Sequence, residues 1–446
     1  MKTDIEAPSA PPPPPDNIVL PTTEEDDDFP DGGLDAWLVV AGGASIFFCC
    51  LGFGNSFGTF EAYYLAHQLS GYTPDAVAWI GSVSAFLPFA TGVLGGPLFD
   101  RYGAKVKKAP FFSLPSSSCA DVLSRKVVRP GAALYVLAMM MLSLCRTYWQ
   151  IMLVQGVLMG VAMAFLQFPA FAAAAHYFRR RRAAALGIMV AGSSLGGVVM
   201  PILLSRMLNS SSLGFGWTVR VVGFLILPFL LFACLTVKPR LAPRRDGRFF
   251  KMGVYREGRF VLFCAAFFFI LFGMLTPIFY LPTYALRRGM RPTLAGYLPA
   301  VLNAASTLGR VIPGVLADRY GPLNIFGLGA VATGVVVFCF NEATSNAGIV
   351  VYAAVFGFVS GTIISGASAA ISLFARDARD VGTYMGMGMS LASFGVLVGP
   401  PVNGAFVKAF GGFWEVSAFS GAMCLFGGIL AFVVKAMMPR GIFGRT

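Results

Sequence analysis

Between residues 36 and 436 the chain returns twelve times to a long apolar run. One of them, "FVLFCAAFFFILFGMLTPIFYLP" (Phe260 to Pro282), has no charged residue in 23 positions. A helix of about 20 apolar residues is the length that crosses a bilayer's hydrocarbon core. Lipid offers no water to backbone amides, so only helices or closed barrels span it. These runs are long and do not alternate apolar with polar, which selects helices over strands. The pattern predicts an all-α membrane protein with twelve transmembrane helices, at about 36–60, 76–99, 132–146, 149–174, 183–205, 217–237, 260–284, 293–316, 323–341, 347–373, 381–407 and 413–436. With 56% hydrophobic and 12% charged residues, the chain lacks the polar surface a water-soluble protein of this length needs.

The basic residues orient those helices. Of the 34 lysines and arginines, 26 fall in the tails and in the loops on the N-terminal side, six fall in the opposite loops, and two, Arg220 and Arg310, fall inside spans. The positive-inside rule then places both termini in the cytosol. An odd number of spans would scramble the asymmetry. The net charge of +13 sits between apolar runs and not along an amphipathic face, so nucleic acid is not an expected partner. The partners expected are a small-molecule substrate and the lipid bilayer, with the chain acting as a monomer. Residues 1–35, with "PPPPP" and "EEDDD", read as a disordered acidic and proline-rich tail. That tail lacks the layout of a cleaved signal peptide, so the first span is expected to act as the insertion signal. The eight cysteines show no metal-ligand or disulfide spacing and read as small packing residues. No cofactor is expected.

Two stretches repeat each other: "GGPLFDRYGA" (Gly95 to Ala104) and "PGVLADRYGP" (Pro313 to Pro322). Asp100 closes span 2 and Asp318 closes span 8, on the same side. Spans 1–6 (36–237) and 7–12 (260–437) therefore read as two parallel, pseudo-symmetric six-helix halves, joined by the basic linker 238–259 and followed by a tail, 438–446. Such a repeat suits a transporter that rocks one half against the other about a midplane site. One difference separates the halves. The loop 104–130 has no counterpart after Asp318; it reads either as a regulatory insert or as a retained intron or gene-model error, and no site is placed there.

At this point the sequence resembles the major facilitator superfamily, through the paired Asp-Arg-Tyr-Gly loops and the six-plus-six layout. More narrowly it is similar to the monocarboxylate porter family and its fungal branch. "PDGGLDAW" (Pro30 to Trp37), "HYFRRRRAAALGIMVAGSSLGG" (His176 to Gly197) and "GRVIPGVLADRYG" (Gly309 to Gly321) carry that likeness over roughly residues 30–437, apart from the insert. The resemblance implies a secondary transporter, active or facilitative, that moves a small organic anion or related metabolite by alternating access. It implies no enzyme activity. The chain agrees, because it has no Gly-x-x-x-x-Gly-Lys-Ser/Thr phosphate cradle and only two histidines, His67 and His176. Fungal relatives of this kind include nutrient permeases and exporters of secondary metabolites, so efflux is the alternative reading. A transporter-like nutrient sensor is the alternative from another class; the short tails weigh against it.

Arg310 is the sharpest candidate for substrate contact. An arginine inside a span is costly unless it faces a protein interior or an aqueous cavity. Its planar fork matches a carboxylate, and it lies about 12 Å from the Asp318 end at 1.5 Å per residue. Asn303 and Thr307 share its helix face through spacings of four and three. The resemblance implies that Arg310 is the family's substrate-facing arginine. It also exposes two departures: Ser306 stands where animal carboxylate transporters carry an aspartate, and Asn55 where they carry a lysine. Both departures weigh against proton–lactate symport and make Asn55 a further candidate for substrate contact. No acid lies at mid-depth in a span; Glu61, near the outer end of span 1, is the one candidate proton site if protons are the coupling ion. Arg220 reads as interfacial.

A gating role is expected for Asp100, Arg101, Asp318 and Arg319. Helix N-termini attract carboxylates. Asp100 is therefore expected at the start of span 11 and Asp318 at the start of span 5, each crossing between halves to hold the cytosolic side closed. The plasma membrane is the expected location, with the vacuolar membrane as alternative.

Overall fold

The computed structural model describes residues 29–102, 117–210, 212–241, 252–375, 377–439 and 441, and of these the side chains of Pro74, 101–126 and 210 are left undescribed. Most of the acidic tail, the first part of loop 104–130, the middle of the 238–259 linker, Arg376 and the end of the C-terminal tail thus lie outside the described residues, as does the side chain of Arg101.

Twelve helices follow in order: α1 (Leu34–Ala66), α2 (Asp75–Asp100), α3 (Ser117–Leu142), α4 (Tyr148–Tyr177), α5 (Arg182–Ser210), α6 (Gly214–Thr236), α7 (Gly258–Arg287), α8 (Pro292–Tyr320), α9 (Pro322–Phe338), α10 (Asn346–Ser372), α11 (Val381–Phe410) and α12 (Trp414–Ala436). Eleven of them are long and apolar enough to cross a membrane; the twelfth, α3, has a shorter apolar stretch, Val127–Leu142. Large apolar side chains such as Phe224, Leu231, Leu328 and Val351 stand exposed. Leaving each in water would forfeit about 1.5–3 kcal/mol; in lipid that cost vanishes.

The helices are interrupted where their chemistry demands it. α1 turns at Asn55 and Ser56, where the Ser56 hydroxyl donates back to the Gly52 carbonyl at 3.3 Å. α2 carries Pro88 and breaks at Thr91, whose hydroxyl donates to the Leu87 carbonyl at 2.6 Å. α4 contains a π-helical segment, Met152–Leu158. α11 continues as helix through Pro400 and Pro401. A proline cannot donate to the preceding turn. The Tyr280 hydroxyl donates to the Pro400 carbonyl at 3.3 Å.

The third helix differs from its expected course. It was expected at 132–146, after a loop reaching residue 130, but it begins at Ser117 and ends at Leu142. Polar and basic residues in its first turns hide it from a hydropathy reading.

α1 packs on α5 and α6 in the first half, and α7 on α11 and α12 in the second. Between the halves two seams dominate: α5 against α8, with α10 beside it, and α2 against α11, with α4 beside it. The two seams are equivalent under the repeat, since α8 corresponds to α2 and α11 to α5.

Candidate functional site

The α5–α8 seam is a continuous antiparallel register. At its end nearest the Asp-Arg-Tyr-Gly signatures, both Asp318 carboxylate oxygens accept backbone hydrogens of α5: Ala183 N–H at 2.8 Å and Ala184 N–H at 2.9 Å. One turn further along, Gly314 and Gly187 meet. A Cβ on Gly187 would stand 2.6 Å from the Arg310 carbonyl, and one on Gly314 would stand 3.0 Å from the Ala183 carbonyl. Next comes Arg310, 8% exposed. Its Nη1 donates to the Val190 carbonyl at 2.9 Å and, closer still, to the Ser193 hydroxyl. Finally Asn303 reaches Gly197, where a Cβ would stand 2.6 Å from the Asn303 Oδ1.

Ser193 is the junction of this site. Its hydroxyl accepts from Arg310 and donates to the Val190 carbonyl at 2.9 Å. Its carbonyl accepts from the Asn55 side-chain amide of α1 at 3.4 Å. Asn55 Nδ2 also approaches Gly197. Three of the four substrate-contact candidates, Asn55, Asn303 and Arg310, thus converge on one stretch of α5, Val190 to Gly197. Thr307 is partly buried and bonds along its own helix, to the Asn303 carbonyl at 3.1 Å, and Asn303 Nδ2 likewise donates to the Pro299 carbonyl.

The guanidinium remains under-satisfied. Among the described residues Arg310 Nε is buried with no hydrogen-bond partner, and no carboxylate pairs with this side chain. Ser194, one residue beyond the junction, also buries a hydroxyl without a partner. A buried charge held by one carbonyl and one hydroxyl is poorly compensated for its lost hydration. An anion arriving at Nε would complete it. Ser306, where animal carboxylate transporters have an acid, faces the other way: its carbonyl and hydroxyl lie 2.7 and 2.9 Å from where a Gly361 Cβ on α10 would be. A carboxylate there would have to enter the α8–α10 contact.

The α2–α11 seam repeats the latch. Asp100, 8% exposed, accepts from the Thr383 N–H at 2.6 Å and from the Thr383 hydroxyl at 2.7 Å at the start of α11. Backbone approaches backbone just beyond it. A Cβ on Gly96 would run into the Gly382 carbonyl, and one on Gly386 into the Gly92 carbonyl. Small residues allow such approach between membrane helices. Arg319 is exposed and lies over its neighbour Tyr320, 5.6 Å from the ring centroid. At the α8 terminus Gly321 has φ 96°, a conformation that favours glycine, and it ends the helix.

Asp31, of the stretch before α1, was not singled out by sequence. One of its carboxylate oxygens accepts from three successive backbone N–H groups between α4 and α5: Arg179 at 2.6 Å, Arg180 at 2.7 Å and Arg181 at 3.4 Å. Its own N–H donates to the Tyr177 carbonyl at 3.1 Å, and Trp37 meets Phe178 edge-on at 5.2 Å. Converging backbone N–H groups form a nest for an anion. Asp31 thus fixes the loop from which α5 starts.

Glu61 is half-buried on the second segment of α1. With Asp75 it lies near enough to the Tyr280 hydroxyl of α7 to act on it electrostatically. Arg220 Nε donates to the Ser143 hydroxyl at 3.1 Å, and its guanidinium lies 5.0 Å from the Trp217 ring centroid.

Known proteins share this architecture. A solved structure of the human organic anion transporter MFSD10 (TETRAN) superposes with a TM-score of 0.64, covering 90% of this chain and 100% of that one at 14% identity. This likeness shows the fold. Among sequences, the Aspyridones efflux protein apdF of Emericella nidulans is 45% identical over 93% of this chain and 80% of its own length. The Agnestins efflux protein AgnL12 of Paecilomyces divaricatus is 35% identical over 91% of this chain and 88% of its own. A family model described as Major Facilitator Superfamily matches residues 109–326 and 304–441. With its apolar helices and its two repeated halves, the chain belongs to the Major Facilitator Superfamily and is a multi-pass membrane transporter of a small-molecule substrate, not an enzyme.

Proposed function

We propose that this transporter exports an acidic secondary metabolite by alternating access, with Arg310 as the residue that recognises the anion. The observation that carries the reading is the state of Arg310: buried on the seam between halves and, among the described residues, bonded only to the Val190 carbonyl and the Ser193 hydroxyl, with Nε unsatisfied. A carboxylate or enolate taking the free edge of the guanidinium would form charge-assisted bonds, which are shorter and stronger than those it replaces. Asn55 and Asn303 flank that position and would contact the rest of the substrate. Thr307 continues the same face.

The likeness to relatives called efflux proteins for aspyridones and agnestins supports export over uptake. The monocarboxylate-porter reading uses the same arginine and rests on the stretches Pro30 to Trp37 and His176 to Gly197. Its weakness is that Asn55 and Ser306 replace the charged pair of the animal carboxylate carriers.

In this mechanism Asp100 and Asp318 are the gate. Their contacts tie each half to a helix start of the other and keep the signature end shut; Arg101 and Arg319 flank them at the helix ends. Opening that end requires both latches to break, admitting substrate to Arg310. The distribution of basic residues supports a cytosolic signature end and cytosolic termini. That orientation, in the plasma membrane of a cell that makes the metabolite, gives export; the vacuolar membrane would give storage. If protons drive the cycle, Glu61 is the group to carry them, on the opposite side from the latches. The architecture works as a monomer.

The test is export from cells loaded with labelled acidic metabolites and with simple monocarboxylates, with and without a pH gradient, for wild type and Arg310→Ala. Arg310-dependent efflux of the larger acid supports the proposal. Equal efflux by wild type and Arg310→Ala, both at full membrane expression, rejects Arg310 as the anion site. Arg310-dependent flux of simple monocarboxylates alone supports the porter reading instead.

A further inference from the structure

Beside Arg310 stands a second group whose hydrogen-bonding capacity is unused. Ser194 is fully buried, and among the described residues its hydroxyl has no hydrogen-bond partner. A serine or threonine inside a helix can turn its hydroxyl onto the carbonyl three or four residues back. Ser193 does so onto Val190 at 2.9 Å, and Thr307 onto Asn303 at 3.1 Å. Ser194 does not. Positions 187, 190, 194 and 197 follow spacings of three and four, so they form one stripe of α5. Gly187 abuts the Arg310 carbonyl, the Val190 carbonyl accepts from Arg310 Nη1, and Gly197 abuts Asn303. Ser194 therefore lies on the stripe that meets α8, between the contacts of Arg310 and those of Asn303. The helix ladder places it nearer still. In α5, a helix over Arg182–Ser210, the Ser194 N–H points at the carbonyl four residues back, that of Val190. The same carbonyl receives Arg310 Nη1 and the Ser193 hydroxyl, each at 2.9 Å. Three donors crowd an acceptor that has two lone pairs. Next to them, Arg310 Nε and the Ser194 hydroxyl have no acceptor among the described residues.

From this shortage of acceptors we infer that Ser194 is a second contact for the anionic group of the substrate, and that this group carries two acceptor oxygens. One oxygen takes the Arg310 Nε–H and the other takes the Ser194 O–H, as α5 and α8 part and Arg310 leaves the crowded carbonyl. A carboxylate offers two such oxygens, and so does the enolate of a 1,3-dicarbonyl; each spreads one charge over the pair. A phenolate offers one oxygen for the two donors. A site built to bond a substrate group discriminates against a ligand that lacks it, because the buried partner is then left unpaired. Arg310 thus requires an anion, and Ser194 selects which anions fit. That role rests on the reading of Arg310 as the anion site.

The experiment uses the full-length protein in nanodiscs at neutral pH. The probes are pentafluorobenzoate, the enolate of 2-acetylcyclohexane-1,3-dione and pentafluorophenolate, all ionised there. Binding and melting temperature are read for wild type, Ser194→Ala, Ser194→Cys and Arg310→Ala. Without a probe, Ser194→Ala should melt at or above wild type, since it removes a buried hydroxyl that has no partner. Wild type should bind a two-oxygen probe more tightly than the phenolate. Ser194→Ala should lose roughly tenfold in affinity for that probe, the contribution of one hydrogen bond to a charged group, and little for the phenolate. Ser194→Cys, with its weaker S–H donor, should fall between. Preference for the carboxylate alone or for the enolate alone assigns the two-oxygen group to that class, and either supports the role of Ser194. A purely structural serine would lower all three probes alike; that result, or an unchanged preference in Ser194→Ala, overturns the role. Binding that needs Arg310 but ignores Ser194 leaves the anion site standing and overturns the Ser194 contact alone. Two-oxygen binding that survives Arg310→Ala, or no binding of any probe by wild type, overturns both.

Discussion

Replacing Asp318 with alanine removes two charge-assisted hydrogen bonds from backbone N–H donors, Ala183 and Ala184, at 2.8 and 2.9 Å. Hydrogen bonds to charged groups contribute about 1.5–3 kcal/mol each. Asp318 is only half-buried, so water can replace part of the loss and the lower figure applies, about 3 kcal/mol for the pair. The contact joins α8 to α5 across the halves, so the loss falls on the equilibrium between closed and open signature ends. About 3 kcal/mol shifts that equilibrium roughly a hundredfold toward opening. Asp318→Asn should lie between, since its amide keeps one acceptor oxygen but offers an N–H group to the other donor. The assay is labelling of a cysteine introduced on the α8 face beneath the latch, on a background without exposed cysteine, with transport measured in parallel. Faster labelling and reduced transport in Asp318→Ala, at wild-type expression, are the expected results. Unchanged labelling would refute the reasoning, because a carboxylate that holds the gate cannot be removed without populating the open state.

The second latch should respond to bulk. Gly96→Val places side-chain atoms where the Gly382 carbonyl stands; overpacking of this kind costs about 1–3 kcal/mol, and the same labelling assay should show the signature end held open. Asp31→Ala strips the anion from the nest of Arg179 to Arg181 N–H groups. The loop should become more susceptible to proteolysis between α4 and α5, with transport lowered, while Asp31→Glu, whose longer arm must buckle to reach the nest, restores it only in part.

The parts of the molecule that were legible from sequence share one property: their signal lies in side chains. The apolar runs mark eleven of the helices to within several residues, because a bilayer demands both length and composition. The pairing of Asp100 with the start of α11, and of Asp318 with the start of α5, follows from a repeat and from helix-end electrostatics, which need only the order of residues. What escaped lies in the backbone or in mixed sequence. α3 begins at Ser117, but Arg125, Lys126 and Arg129 make its first half look like loop. The acceptors around Arg310 are a carbonyl and a serine within a glycine-rich stretch that reads as packing. Asp31 binds three N–H groups that no sequence displays. The register of α5 on α8, which decides what Arg310 touches, depends on which glycines face each other, and nothing in the sequence sets Gly187 apart from its glycine neighbours.

That register has a mechanical consequence. Asp318, Gly314, Arg310 and Asn303 lie in order along α8 and meet Ala183, Gly187, Val190 with Ser193, and Gly197 in order along α5. The proposed gate and the proposed anion site are therefore two points on one interface, not two separate devices. The closed seam is held at its end by a carboxylate and in its middle by a guanidinium. An anionic substrate that draws Arg310 away from Ser193 removes the middle fastening and weakens the seam that Asp318 closes. A substrate lacking a negative charge leaves the fastening in place. The coupling predicts that Arg310→Ala, which lacks the fastening from the outset, opens the signature end without substrate and no longer responds to it. If substrate still accelerated cysteine labelling in Arg310→Ala as it does in wild type, the anion would have to act through another helix pair, and the α2–α11 seam around Asp100 and Thr383 would be the place to look.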